Sequence, residues 1–174
     1  MEDIRITSGI LRGRKVRSPK LGSTHPMGSR EKIALFNMIG DFLPDAVVLD
    51  AFAGSGALGI EALSRGAAKV VFVERNRKVA EVIRDNLNSL NLNHNSRLAT
   101  CGVGSFSSDE LFDIIIADPP YDNFRIEEIF HLTKFLKDYG VLVLSHPGDT
   151  PVIDGLKLTK TRKYAGATLS IYRK

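Results

Sequence analysis

Cysteine occurs once in the 174 residues, as Cys101, and tryptophan is absent. A single cysteine excludes an internal disulfide and a cysteine-based metal cluster, so Cys101 is expected to be a small buried apolar residue. The four histidines, His25, His94, His131 and His146, are scattered without metal-ligand spacing, and no metal site is expected. No apolar run reaches the ~18 residues that a membrane-spanning helix needs. Met1 to Lys20 alternates charge with small apolar groups, unlike a signal peptide, so the chain reads as cytoplasmic with no membrane partner. Repeats and low-complexity linkers are also missing. Apolar residues make up 43% of the chain, ample for a core, and the length suits one α/β domain with a small appendage better than two domains.

Acid is missing from both ends. Residues 5–20 carry Arg5, Arg12, Arg14, Lys15, Arg17 and Lys20, and residues 156–174 carry Lys157, Lys160, Arg162, Lys163, Arg173 and Lys174, with no Asp or Glu in either stretch. Half of the 24 basic residues lie there, and all 20 acidic ones lie elsewhere. Basic ends on an acidic body suggest a polyanion gripped at its phosphates. Arg12, Arg14, Lys15, Arg162 and Lys163 are candidate phosphate contacts, with Arg30 on the first predicted helix. The alternative is a pair of edge strands that charge protects against aggregation. Tyr164 and Tyr172 are the only aromatic residues of note at these ends, so base stacking is expected from elsewhere.

Periodicity predicts a basic hairpin, Ile4 to Thr7 and Ile10 to Val16, turning at Ser8 and Gly9. It divides the chain into an extension, 1–24, and a main domain, 25–174. Ser29 is placed to cap a helix from Arg30 to Ile39, with Ile33, Phe36 and Ile39 on one face and Gly40 at its end. Strands and helices then alternate: strand 47–51, helix 57–65 closed by Gly66, strand 70–74, and helix 77–90 capped by Asn76. Strands 96–100 and 112–117, helix 126–137, strand 140–145 and two final strands, 156–163 and 167–172, complete the layout. Residues 102–110 read as a loop. The fold class is α/β, a doubly wound Rossmann-like sheet with an antiparallel C-terminal hairpin.

Two segments carry chemistry. In VLDAFAGSGALGIE, Val48 to Glu61, an apolar strand ends at Asp50 and Gly54, Gly56 and Gly59 follow in G-x-G-x-x-G spacing before a helix. Such glycines let backbone approach a nucleotide closely. Pyrophosphate at that helix N-terminus would be crowded by Asp50. S-adenosylmethionine, with an ammonium and a sulfonium, favours a nearby carboxylate and is the expected cofactor. Glu74 ends the next strand, where an acid can accept ribose hydroxyls, a role shared with nicotinamide enzymes. A nicotinamide reductase is disfavoured by Asp50 and by the lack of any hydride-transfer acid. Packing alone is a further reading of the glycines.

In IIIADPPY, Ile114 to Tyr121, a second strand ends at Asp118, and Pro119 and Pro120 stiffen the turn that presents Tyr121. An exocyclic base amine is a poor nucleophile because its lone pair is delocalised. Hydrogen bonds to Asp118 and a nearby carbonyl would draw it toward tetrahedral geometry, leaving alignment with a methyl donor as the main requirement. Asp118 can take the leaving proton, and Tyr121 can stack on the extruded base. A strand end closed by a rigid loop is the bland alternative. Asp118, Pro119, Pro120 and Tyr121 are therefore the catalytic candidates. Asp50, Phe52, Gly54, Gly56, Glu74, Arg75, Gly102 and Val103 are the candidates for the cofactor.

The chain resembles the bacterial 16S ribosomal RNA guanine-N2 methyltransferases of the RsmD type, class I S-adenosylmethionine-dependent enzymes. The likeness runs from Arg5 to Arg173 through RITSGILRGRKVRSP, HPMGSREKIALFNMI, VLDAFAGSGALGIEALSRGA, VVFVE, FDIIIADPPY and RKYAGATLSIY. It implies a seven-stranded sheet and methylation of the amino group of one guanine in small-subunit RNA, with a partly assembled subunit as partner and the protein a monomer. It also implies that Asp50, Phe52, Gly54, Gly56 and Glu74 line the cofactor pocket and that Asp118 to Tyr121 hold the base. The chain departs from the family pattern at His25, Pro26 and Met27, where Arg-Pro-Thr is usual, and at Ile33, where glutamate is common. Gly102 stands in place of an Asp or Asn expected to bind the adenine amine, and Ala165 interrupts a Tyr-Gly pair. Two alternatives remain: an amino-methyltransferase acting on adenine or cytosine of other RNA or DNA, and a non-catalytic ribosome-assembly or RNA-binding protein.

Overall fold

The computed structural model describes residues 2–19, 27–164 and 166–174. Lys20, His25, Pro26 and Ala165 lie outside them. The chain starts with an antiparallel ribbon, β1 (Glu2–Arg5) and β2 (Lys15–Ser18), in which Ile4 faces Val16. The hairpin is present with shorter strands and a wider turn than expected, because residues 7–11 do not pair across it. They dock instead on the helix after the glycine loop: Ile10 N–H donates to Ser64 O at 2.8 Å and Leu11 N–H to Ser64 Oγ at 2.9 Å.

Helix α1 (Ser29–Ile39) follows, then β3 (Val47–Asp50), α2 (Ala57–Ser64), β4 (Lys69–Val73), α3 (Arg77–Ser89), β5 (Ser96–Ala99), β6 (Phe112–Ala117), α4 (Ile126–Thr133), β7 (Leu136–His146), β8 (Lys157–Tyr164) and β9 (Ala167–Arg173). Seven strands form one sheet in the order β5-β4-β3-β6-β7-β9-β8, with β5, β4, β3, β6 and β7 parallel and β9 antiparallel to both of its neighbours. This is the doubly wound α/β architecture expected, with its C-terminal hairpin. Strands β3, β4 and β6 are almost wholly buried, as strands covered on both faces must be. Among the described residues no helix is long and apolar enough to cross a membrane.

Several local expectations give way to packing. Gly28, not Ser29, is the residue before the first turn of α1, and no side chain caps it. Ile33 faces solvent at 41% exposure, while Lys32 occupies the buried face at 2%. Asn76 does cap α3, its Oδ1 accepting Lys78 N–H at 3.0 Å. Helix α4 ends at Thr133 rather than 137, and β7 begins at Leu136, paired with Phe112. Tyr139, at φ 65°, introduces a left-handed residue that helical periodicity does not anticipate. The loop after β5 contains a single tight turn, Val103–Ser105.

Two buried polar side chains fasten the N-terminal ribbon to the sheet's helices. Glu61 of α2, fully buried, accepts Thr7 N–H at 2.9 Å and Ser8 N–H at 3.1 Å, and pairs with Lys32 at 3.2 Å and Arg65 at 2.9 Å. These hydrogen bonds and cations hold its carboxyl below the usual range although burial works the other way. Asn86 of α3 accepts Arg17 N–H at 3.0 Å and donates to the carbonyls of Arg17 at 2.9 Å and Ser55 at 3.0 Å. With Ile6 and Val16 fully buried in the main core, the ribbon is part of the same packed body.

Candidate active site

The parallel order changes direction between β3 and β6, and crevices at such switch points, beyond the carboxyl ends of the strands, are where α/β sheets bind ligands. The glycine loop leaves β3 there and Asp118 to Tyr121 leave β6, beside it. One cavity of about 710 Å³ is walled by both, together with Glu74 to Asn76 after β4 and Cys101 to Val103 after β5.

Gly54 (φ +53°) and Gly56 (φ +78°) take left-handed turns into α2. The space beside the Gly54 Cα is open, which leaves its backbone free for close approach by a ligand. Gly59 serves packing, since any side chain there would collide with the Phe72 ring. Glu74 accepts Gly54 N–H at 3.0 Å and Asn76 N–H at 2.8 Å, so its carboxylate braces both loops and retains acceptor capacity. Gly102 too has open space where a side chain would stand.

Asp50 corrects an expectation. It does not line the cavity but lies beneath the loop, 1% exposed, accepting Gly59 N–H at 2.9 Å. Gly56 is likewise buried away from the wall. Desolvation, opposed by the Gly59 hydrogen bond and reinforced by the charges of Asp118 and Glu74, pushes the Asp50 carboxyl up to about 7. The carboxylates of Glu74 and Asp118, both in the wall, favour a cationic ligand. The residues therefore fit S-adenosylmethionine, with an open glycine cradle, an acid ending β4 and Phe52 in the wall. Cys101, expected in the core, is half-buried in that wall, and burial raises its thiol.

At the other end of the cavity Asp118 is half-buried, its carboxyl pushed up to about 6 by desolvation against a hydrogen bond from Ser145. The Tyr121 hydroxyl is hydrogen-bonded to Ser145 Oγ, which fixes the ring in the wall beside Pro119 and Pro120. Ser145, 1% exposed near the end of β7, joins both groups. Its only sequence signal is that of a lone polar residue closing the apolar run VLVL. Met27, noted as a departure from the family pattern, stands in the same wall, as do Glu31 and Lys32, which the sequence reading of the site does not include.

Outside the cavity, Arg12, Arg14, Lys15, Arg30, Arg162 and Lys163 are all exposed, and none lines it. Lys15 pairs with Asp3 at 3.0 Å, and Arg14 reaches Ser89 O at 3.5 Å.

A family model described as Conserved hypothetical protein 95 matches residues 4–173. The chain belongs to that family. Among relatives of this Conserved hypothetical protein 95 member, the "Putative rRNA methyltransferase YlbH" of Bacillus subtilis is 31% identical over 98% of this chain and 99% of its own. The "Ribosomal RNA small subunit methyltransferase D" of Haemophilus influenzae is 33% identical over 87% of this chain and 82% of its own. Of solved structures, the "Putative methyltransferase yhhF from Escherichia coli" superposes with a TM-score of 0.89 at 29% identity, covering 99% of this chain and 98% of its own.

Proposed function

We propose that this protein transfers a methyl group from S-adenosylmethionine to the exocyclic N2 amine of a guanine in 16S ribosomal RNA. It would act as a cytoplasmic monomer on partly assembled small subunits. The observation that carries the reading is the meeting, in one cavity at the β3/β6 switch point, of a glycine cradle braced by Glu74 with the Asp118-Pro119-Pro120-Tyr121 turn. Relatives named as ribosomal RNA methyltransferases that match this chain nearly end to end support the substrate class.

When bound in the cradle, S-adenosylmethionine supplies an electrophilic sulfonium methyl. Phe52, Gly54, Glu74, Arg75, Gly102 and Val103 would hold it, with Asp50 adding negative potential from below. Tyr121, tethered by Ser145, offers a ring on which the extruded base stacks. Asp118, mainly a carboxylate at pH 7 with its carboxyl near 6, accepts one amine N–H and takes the proton released as nitrogen gains the methyl. The basic surface on the β1–β2 ribbon, α1 and β8 grips phosphates. Residues 1–24 act as an appended grip on the catalytic domain, 25–174.

The test is transfer of labelled methyl to small subunits lacking the modification, followed by nucleoside analysis. Labelled N2-methylguanosine is expected, and Asp118→Ala should abolish it while cofactor binding, followed by calorimetry, persists. Label in methyladenosine or methylcytidine would move the acceptor to another base. Cofactor binding without label in any acceptor would leave a binding-only role.

A further inference from the structure

Glu31 is a half-buried carboxylate in the cavity wall that the methyl-transfer step leaves without a role. It stands in the first turn of α1, three residues after Gly28. Among the described residues no side chain forms an ion pair or hydrogen bond with it. It shares that wall with Asp118 and Tyr121, the two groups expected to meet the base. The carboxylates that act on Asp50 are Asp118 and Glu74, whereas those that act on the Tyr121 hydroxyl, after its burial and its Ser145 hydrogen bond, are Asp118 and Glu31. Asp118 is common to both sets. Glu74 is bonded to the glycine cradle through Gly54 N–H, whereas the charge of Glu31 reaches the stacking ring across the shared cavity.

A base stacked on Tyr121 with its amine at Asp118 presents its Watson–Crick edge toward the remaining groups of that end. The edges differ there in one respect. Guanine carries a proton on N1 beside the N2 amine, whereas adenine N1 and cytosine N3 are bare acceptors beside theirs. A carboxylate at this place accepts from the guanine N1–H and repels the lone pair of the other two. We infer that Glu31 is the residue that selects guanine, its carboxylate receiving the N1–H while Asp118 receives the amine. The inference rests on the proposed guanine-N2 activity and names the recognition step within it. Two further carboxylates stand in the same wall, Asp122, exposed directly after Tyr121, and Glu128, in the first turn of α4, and neither is among the charges acting on Tyr121.

The discriminating probe is 2-aminopurine, which keeps the N2 amine and lacks the N1 proton. Small subunits are reconstituted on 16S RNA carrying either guanine or 2-aminopurine at the methylated position, mapped by mass spectrometry of ribonuclease fragments. Methyl transfer is then measured with the parent protein, Glu31→Ala, Glu31→Gln and Glu128→Gln. Glu31→Ala should lose about 10- to 100-fold in kcat/KM on guanine and change little on 2-aminopurine. Glu31→Gln can turn its amide to donate to the bare N1, so it should gain on 2-aminopurine. The cofactor dissociation constant should stay as in the parent. Equal losses on both bases, or weakened cofactor binding, would show Glu31 to be structural or a cofactor contact. A guanine-selective loss in Glu128→Gln instead would transfer the role to Glu128. Failure of the parent protein to methylate guanine at all would defeat the guanine-N2 reading itself, a result distinct from any of these.

Discussion

Asp50 is an ordinary carboxylic acid moved into an environment where its charge is costly. Its folded-state value, about 7, lies above the unfolded 3.8. The stability contributed by its protonated form is therefore complete below about pH 4 and is lost as pH rises through 7. Asp118, raised to about 6, acts with the same sign. Glu61, shifted downward from 4.5, loses its contribution only in acid, and His146, shifted downward from 6.5 by burial, opposes the two aspartates below about pH 7 without matching both, so they set the sign from pH 6 to 8. The ligand-free protein should thus melt at a lower temperature at pH 8 than at pH 6. Asp50→Asn keeps an acceptor for Gly59 N–H and removes the charge. At pH 8 it should be more stable than the parent by on the order of 2 kcal/mol, with the two melting curves converging toward pH 5 and with weaker cofactor binding by calorimetry. Melting temperatures that run parallel across that window would show that the charge carries no such cost. The importance of Asp50 is legible from its place before Gly54. Its burial is not, because an acid ending an apolar strand can point into a cleft or under the turn, and here the Gly59 N–H decides between them.

At the scale of elements, the strands and the glycine-to-helix turn follow from local pattern, since β3, β4 and β6 are continuous apolar runs with a breaker after each. What local pattern hides is the polar joinery. Lys32, Glu61 and Asn86 lie at positions where charge or amide reads as a solvated helix face, yet each is buried by the ribbon that packs over it. The partners are up to 69 residues away, as for Asn86 and Arg17, so no window reveals them. The end of α4 fails for a related reason: Leu136 is claimed by its pairing with Phe112, a contact that outweighs helical periodicity through residue 137. Removing one partner from a buried ion pair strands the other. Glu61→Ala leaves Lys32 uncompensated and two backbone N–H groups without acceptors, and should cost about 3–5 kcal/mol in urea unfolding. Hydrogen exchange should then show residues 5–18 opening ahead of the sheet. A loss spread evenly over the whole molecule would mean that the ribbon is held by Ile6 and Val16 alone.

For the whole molecule, exposed cations are spread over the β1–β2 ribbon, α1 and β8, apart from the cavity, which suits a ligand larger than one nucleotide. The charge asymmetry that foretells this is plain in the sequence, but the pairing of Lys15 with Asp3 is not, because Asp3 lies just outside the acid-free stretch. Arg12→Ala combined with Arg14→Ala should reduce the slope of log affinity for RNA against log salt by about 1–2. Lys15→Ala should do less than either, its charge being partly spent on Asp3. An unchanged slope would remove the ribbon from the phosphate contacts. The strand order also has a consequence for how the protein is made. Strand β9 follows β8 in sequence yet lies between β7 and β8, so during synthesis β7, which carries Ser145, keeps an open edge until residues 167–173 emerge. An open edge on an apolar strand is an invitation to pair with a neighbouring chain. A nascent chain therefore closes the adhesive edge of the strand that tethers Tyr121 only in a late event, when β9 slides into place and leaves the lysine- and arginine-rich β8 as the edge on that side.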